Sequence, residues 1–234
     1  MQTIYDGMWR SFVSAMEEGN YVLDPWLSKL EEDDRRGITA LAYLAPHSSS
    51  LTRNIGEFLR CVRELEPSQY YHPVSELHIT LLSIISCVSG FRLDDIDSQA
   101  YIDIFLDVVK QHQQPIEIEF RGITASPSCL LIQGFTQGEG LDQLRQTLRE
   151  RYQSSGLRSS IDSRYKIATA HSSCVRFCQP LKNPLALLTL CKKWRTTYFG
   201  SIKLNEIELV FNNWYQNLSI TQVLAKQSID KQIN

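Results

Sequence analysis

No run of apolar residues in this 234-residue sequence approaches the roughly 20 that a membrane-spanning helix needs, so no span is expected. Nor is there an excess of one charge. The 24 lysines and arginines face 26 aspartates and glutamates, for a formal net charge of −2. A chain so balanced is not expected to hold long double-stranded nucleic acid through a global field; an anionic ligand must be met by a local basic cluster. The six cysteines include no C-x-x-C pair and mostly sit in apolar segments. That argues against a zinc site and for buried thiols in a reducing compartment. The N-terminus, MQTIYDGMWRSFVSAMEEG, has no basic start followed by an uninterrupted apolar stretch, so it does not read as a secretory signal. A cytoplasmic location is the resulting expectation. Glycine-rich phosphate loops are missing too; Gly138 and Gly140 read only as a helix lead-in.

What is present is a core. The chain is 43% hydrophobic and 10% aromatic, enough for one large domain or two lobes sharing an interface. Met8, Trp9, Phe12, Val13 and Met16 recur at helical spacing over 5–18. A short helix is expected from Pro25 to Glu32, capped by Asp24. Residues 37–45 read as a strand and 48–67 as an amphipathic helix. After YYHP (70–73) comes a strand over 77–85, an acidic loop, and a helix near 98–112. PIEIEFRGI (115–123) alternates and should pair antiparallel with CLLIQGF (129–135). Helices are expected over 141–153 and 183–194, and a strand over 165–177. Strands 202–211 and 218–226 should form a hairpin around NNWYQ, before a polar tail over 227–234. With no regular βαβ rhythm, the fold class is α+β with antiparallel or mixed sheets.

Two short stretches carry chemistry. In SELHITLLSII, His78 and Thr80 interrupt an apolar strand, and AHSS repeats the arrangement with His171 and Ser173 93 residues later. Residues i and i+2 of a strand share a face, about 6.6–6.8 Å apart. Each histidine therefore projects with a hydroxyl, while Leu77, Ile79 and Leu81, or Ala170, Ser172 and Cys174, face the other way. His47 also has a serine at +2, but it follows Pro46 before a helix, where SSS reads as capping. His72 and His112 do not fit the pattern. Brought across one groove, two imidazoles suit a reaction needing a base on one side and an acid on the other. The hydroxyls can donate hydrogen bonds to phosphate oxygens.

His78-Ile79-Thr80-Leu81 and His171-Ser172-Ser173-Cys174 resemble the paired His-x-Thr/Ser motifs of the two-histidine (2H) phosphoesterase superfamily, which includes RNA 2′-5′ ligase-like proteins and cyclic phosphodiesterases. The second copy departs from the pattern with Ser173 for threonine and with small residues at 172 and 174. The resemblance covers about residues 37–226 and leaves 1–36 as a helical extension. It implies a bilobal, pseudo-twofold α+β fold with a central cleft. It also implies metal-independent opening of a 2′,3′-cyclic phosphate, or a similar phosphodiester, on a nucleotide or short RNA end, with no cofactor. His78 and His171 would serve as acid and base, in an order left open, and Thr80 and Ser173 would hold the phosphoryl oxygens. Tyr71 and His72 are candidates for base stacking, against a bland reading as a strand-edge pair. Tyr215 is a candidate for the cleft rim, against simple packing. Arg176 points away from His171 if the strand is regular. The alternatives are a module that binds a nucleotide or RNA end without turnover, and a scaffold whose N-terminal helices recruit a partner.

Overall fold

Strands and helices form where the periodicities place them. The computed structural model describes residues 1–229. The order is α1 (Gln2–Glu18), β1 (Arg36–Tyr43), α2 (Ser49–Leu65), β2 (Tyr70–Tyr71), β3 (His78–Val88), α3 (Ser98–Gln111), β4 (Glu117–Ser126), β5 (Cys129–Gln137), α4 (Gly140–Ser154), β6 (Ser172–Arg176), α5 (Pro184–Trp194), β7 (Tyr198–Lys203), β8 (Glu206–Asn212) and β9 (Gln222–Ser228). Short 3-10 turns lie at Pro25–Glu32, Val74–Glu76 and Leu93–Asp95. The strands make two sheets, ordered β3-β1-β8-β9 and β2-β6-β5-β4-β7. Every strand pair is antiparallel. The expected α+β architecture of two lobes flanked by helices is therefore the one observed.

Local chemistry sets the helix ends. Ser48 accepts the Leu51 N–H at 3.2 Å at the start of α2, and Asn183 accepts the Ala186 N–H at 2.9 Å ahead of Pro184 in α5. Helix α1 ends at Gly19, whose φ of 71° continues the chain in the left-handed region. Its stripe of Tyr5, Phe12, Ala15 and Met16 is buried, with Phe12, Ala15 and Met16 in the main core. Residues 1–36 thus contribute to the core as well as preceding it. Trp9 packs on Phe12, and Trp26 lies under the Arg35 guanidinium.

Three expectations change. The run 202–211 is not one strand. β7 pairs with β4 in one sheet and β8 with β1 in the other, so the chain passes between sheets at Leu204 and Asn205. Leu204 is buried there and donates its N–H to Ile116 at 2.8 Å, so hydrophobicity does not mark the break. Strand 165–177 shrinks to Ser172–Arg176, because 165–171 has no ladder partner. The polar tail begins later than expected: Gln227 and Ser228 pair with Ile207 and Glu206, while 230–234 lies outside the described residues.

Candidate active site

The two motif strands have the same profile. From His78 to Ser83 the residues run half-buried, buried, half-buried, buried, buried, half-buried, and from His171 to Arg176 the order repeats. The cause is a bulge at the same place in each. Opposite β1, Thr80 pairs with Leu41 and Leu82 with Ala40, leaving Leu81 extra; opposite β5, Ser173 pairs with Leu131 and Val175 with Leu130, leaving Cys174 extra. Each bulge returns the residue five beyond the histidine to the face of the motif. Arg176 therefore joins His171 and Ser173 on the cleft, a correction to the regular-strand expectation. His78, Thr80, His171, Ser173 and Arg176 all line one cavity of about 150 Å³ between the sheets. Ile79 and Leu81 on one side, and Ser172 and Cys174 on the other, are wholly buried behind it.

The imidazoles are held differently. His78 Nδ1–H donates to the Glu76 carbonyl at 2.7 Å, which leaves Nε2 for the cleft. His171 Nδ1 is hydrogen-bonded to Thr169 Oγ1, also at 2.7 Å. Burial is the main force lowering both pKa values below the usual 6.5. The Glu76 carbonyl opposes the fall at His78, whereas at His171 burial is joined by Arg145, His78 and Arg176, taking it to about 4.

Behind the cleft sits Arg145, 1% exposed. It donates to the Thr80 carbonyl at 2.7 Å, the Leu81 carbonyl at 3.0 Å and the Thr169 carbonyl at 2.9 Å. One guanidinium thereby ties β3 to the segment entering β6. The Thr169 backbone has no sheet partner, so this side chain replaces the missing ladder. From the other side the Tyr5 hydroxyl donates to the Gly134 carbonyl at 2.8 Å and reaches the Ala170 backbone and Thr169.

The remaining candidates divide. His72 lines the cleft, is 2% exposed, and neither ring nitrogen has a hydrogen-bond partner among the described residues. Tyr215 also lines it; its hydroxyl donates to Asp24 at 2.9 Å, and its ring is buried against Tyr70. Tyr71 is not on the cleft. Its hydroxyl donates to the Glu66 carbonyl at 2.8 Å and Arg63 lies over its ring, so the ring is not presented to the cleft. Arg145, Thr169, Arg164 and Trp214 are cleft or support residues that the motifs do not mark. Arg145 left one sequence signal: it falls on the apolar stripe of α4 with Leu141, Leu144 and Leu148. Among the described residues, no three His, Cys, Asp or Glu side chains group as a metal site, and no helix is long and apolar enough to cross a membrane.

This arrangement of two antiparallel sheets flanked by helices is similar to the fold of several solved structures. Among them are TT0787 of Thermus thermophilus, a phosphoesterase, and Escherichia coli LigT complexed with 3′-AMP. TT0787 superposes with a TM-score of 0.56 at 15% identity, over 83% of this chain and 97% of that one. The phosphoesterase gives 0.54 at 15%, over 86% and 100%. LigT gives 0.53 at 15%, over 86% and 100%. The shared property at this identity is the fold, which is the one the two-histidine resemblance implies. No family model and no curated protein sequence matches the chain.

Proposed function

We propose that this chain is a two-histidine phosphodiesterase that opens a 2′,3′-cyclic phosphate, or a similar diester, on a nucleotide or short RNA end without a metal. The observation that carries the reading is the convergence of two imidazole–hydroxyl pairs and Arg176 on one cleft. The fold shared with a phosphoesterase, and with LigT complexed with 3′-AMP, supports it.

Electrostatics suggests the division of labour. Burial, helped by Arg145 and Arg176, holds His171 neutral, so its Nε2 is the base that takes a proton from water. Burial also lowers His78, but there the Glu76 carbonyl opposes the fall, so of the two rings His78 is the one assigned as the acid. Water oxygen bonds to phosphorus and the bond to one ribose oxygen breaks. The water proton goes to His171, and the His78 proton goes to the leaving oxygen. Thr80, Ser173 and Arg176 donate to the phosphoryl oxygens as charge builds.

The test is turnover of 2′,3′-cyclic nucleotides in EDTA, read by phosphorus NMR. His78→Ala and His171→Ala should each lower kcat about 10²–10⁴-fold while remaining folded. Full activity in either variant removes that histidine from the mechanism. Tight binding without product across all four bases identifies a binding module instead.

A further inference from the structure

Beyond Arg176 the cleft continues into a second cationic region that hydrolysis of a single cyclic phosphate does not use. Its centre is Trp214, half-buried, in the loop after β8. Three guanidiniums surround this indole: Arg164 at 4.5 Å from the ring centroid, Arg35 at 5.5 Å and Arg176 at 5.9 Å. Their charges are compensated unequally. Arg35 makes two 2.7 Å hydrogen bonds to Asp33. Arg176 has Asp24 at 3.9 Å. Asp162, also on the cleft, is taken by Arg149 at 2.6 and 3.2 Å. Arg164 is exposed and has no acidic partner among the described residues.

The same cleft carries buried polar groups left open. His72 has both ring nitrogens unpaired, and Gln216, 6% exposed, has a free side-chain oxygen. Arg176 Nε is buried without a partner. Buried polar atoms are normally satisfied, so their clustering here points to a ligand or to water that it displaces. The Arg164 and Arg176 guanidiniums share the Trp214 ring as neighbour, at 4.5 and 5.9 Å from its centroid, so they lie within about 10 Å of each other. Guanidinium forks match phosphate oxygens in geometry and charge.

We propose that Arg164, with Trp214 beneath it, forms a second phosphate subsite selecting substrates whose ribose carries a 5′ phosphate as well as the reacting cyclic phosphate. The inference rests on the phosphodiesterase reading. With the reacting group at Arg176, the second phosphate lies one ribose away, at Arg164. A terminal phosphomonoester and an internucleotide phosphodiester share this chemistry.

The experiment measures kcat/KM at low salt for adenosine 2′,3′-cyclic phosphate, its 5′-phosphorylated form, and the dinucleotide ApA ending in a 2′,3′-cyclic phosphate. The native protein should prefer at least one phosphate-bearing substrate tenfold or more. In Arg164→Gln that ratio should fall to near one. Preference for the monophosphate assigns a terminal phosphate, and preference for the dinucleotide assigns an internucleotide phosphate. Equal kcat/KM for all three, or a ratio that survives Arg164→Gln, overturns the subsite. If none is turned over, calorimetry with adenosine 3′,5′-bisphosphate against 3′-AMP still decides. Tighter, Arg164-dependent binding of the bisphosphate supports the subsite while the reaction fails; equal binding overturns it.

Discussion

At His78 and His171, catalysis depends on which ring holds a proton in the free enzyme. Both pKa values lie below 6.5, and His171 falls to about 4. Above those values both rings are neutral; below them both are charged. The competent form, with one proton shared between the two, is most populated between them. kcat/KM reports free-enzyme groups, so it should peak on the acid side of pH 6.5 and decline towards pH 8 as His78 loses its proton. kcat should hold to higher pH, because a bound phosphate anion favours the imidazolium. A kcat/KM profile rising through pH 8 rejects this assignment. Arg145 is the next residue to test. Arg145→Met leaves the Thr80, Leu81 and Thr169 carbonyls without their donor, each costing about 1–3 kcal/mol if water does not replace it. It also removes a positive charge from behind His171. The histidine's NMR titration should therefore move up in the variant, and Arg145→Lys should restore part of the shift. An unchanged titration restricts Arg145 to a structural role. The paired imidazole–hydroxyl motifs were legible in the sequence because a strand's period of two fixes which residues share a face. Arg145 was hidden because its partners are carbonyls 24 to 65 residues away.

Among the elements, the long periodic helices and the β4–β5 hairpin could be read directly, since their information is local. β6 could not. It has five residues, and the extended chain before it is fixed by Arg145, Tyr5 and a close approach of β5. The bulges were equally hidden, because an extra residue in a strand shows only against its partner. They decide the site: without the extra Cys174, Arg176 would leave the cleft. Gly134 marks the tight point. A Cβ there would collide with the Ala170 carbonyl oxygen, one residue from His171. Gly134→Ala must therefore push back the backbone that carries Thr169 and His171. We expect a loss of about 1–3 kcal/mol in urea unfolding, as for overpacked cores, and a fall in kcat larger than any change in KM. A variant with native stability and native kcat would show that this segment yields without disturbing the histidine.

For the whole molecule, the lobes are joined behind and beside the cleft. Arg145 links β3 to the entry of β6, while the loop after β8 reaches β2 of the other sheet, where Asn217 donates to the Tyr70 hydroxyl at 2.8 Å. Asp24, from the N-terminal segment, accepts from Tyr215 at the same cleft. The two-histidine resemblance implied two halves and a cleft, but not these ties, which are long-range and polar. Their closeness has a consequence for stability. All five histidines have pKa values lowered from 6.5, with burial the main cause at each: His47, His72, His78, His112 and His171. The unfolded chain therefore binds protons near pH 6.5 that the folded chain refuses until lower pH. Between pH 6.5 and about 4, the unfolded state holds more protons, and stability falls as pH falls. Asp33, held below 3.8 by Arg35 against the opposing effect of burial, adds its loss only at stronger acidity. Urea midpoints should consequently drop steadily from pH 7 to pH 5, and His72→Gln should flatten the slope. A phosphate ligand in the cleft should reverse part of it, since an anion beside His78 and His171 lets them charge without unfolding the protein. A midpoint that is constant from pH 7 to pH 5 would mean the imidazoles are far better hydrated than a closed cleft allows.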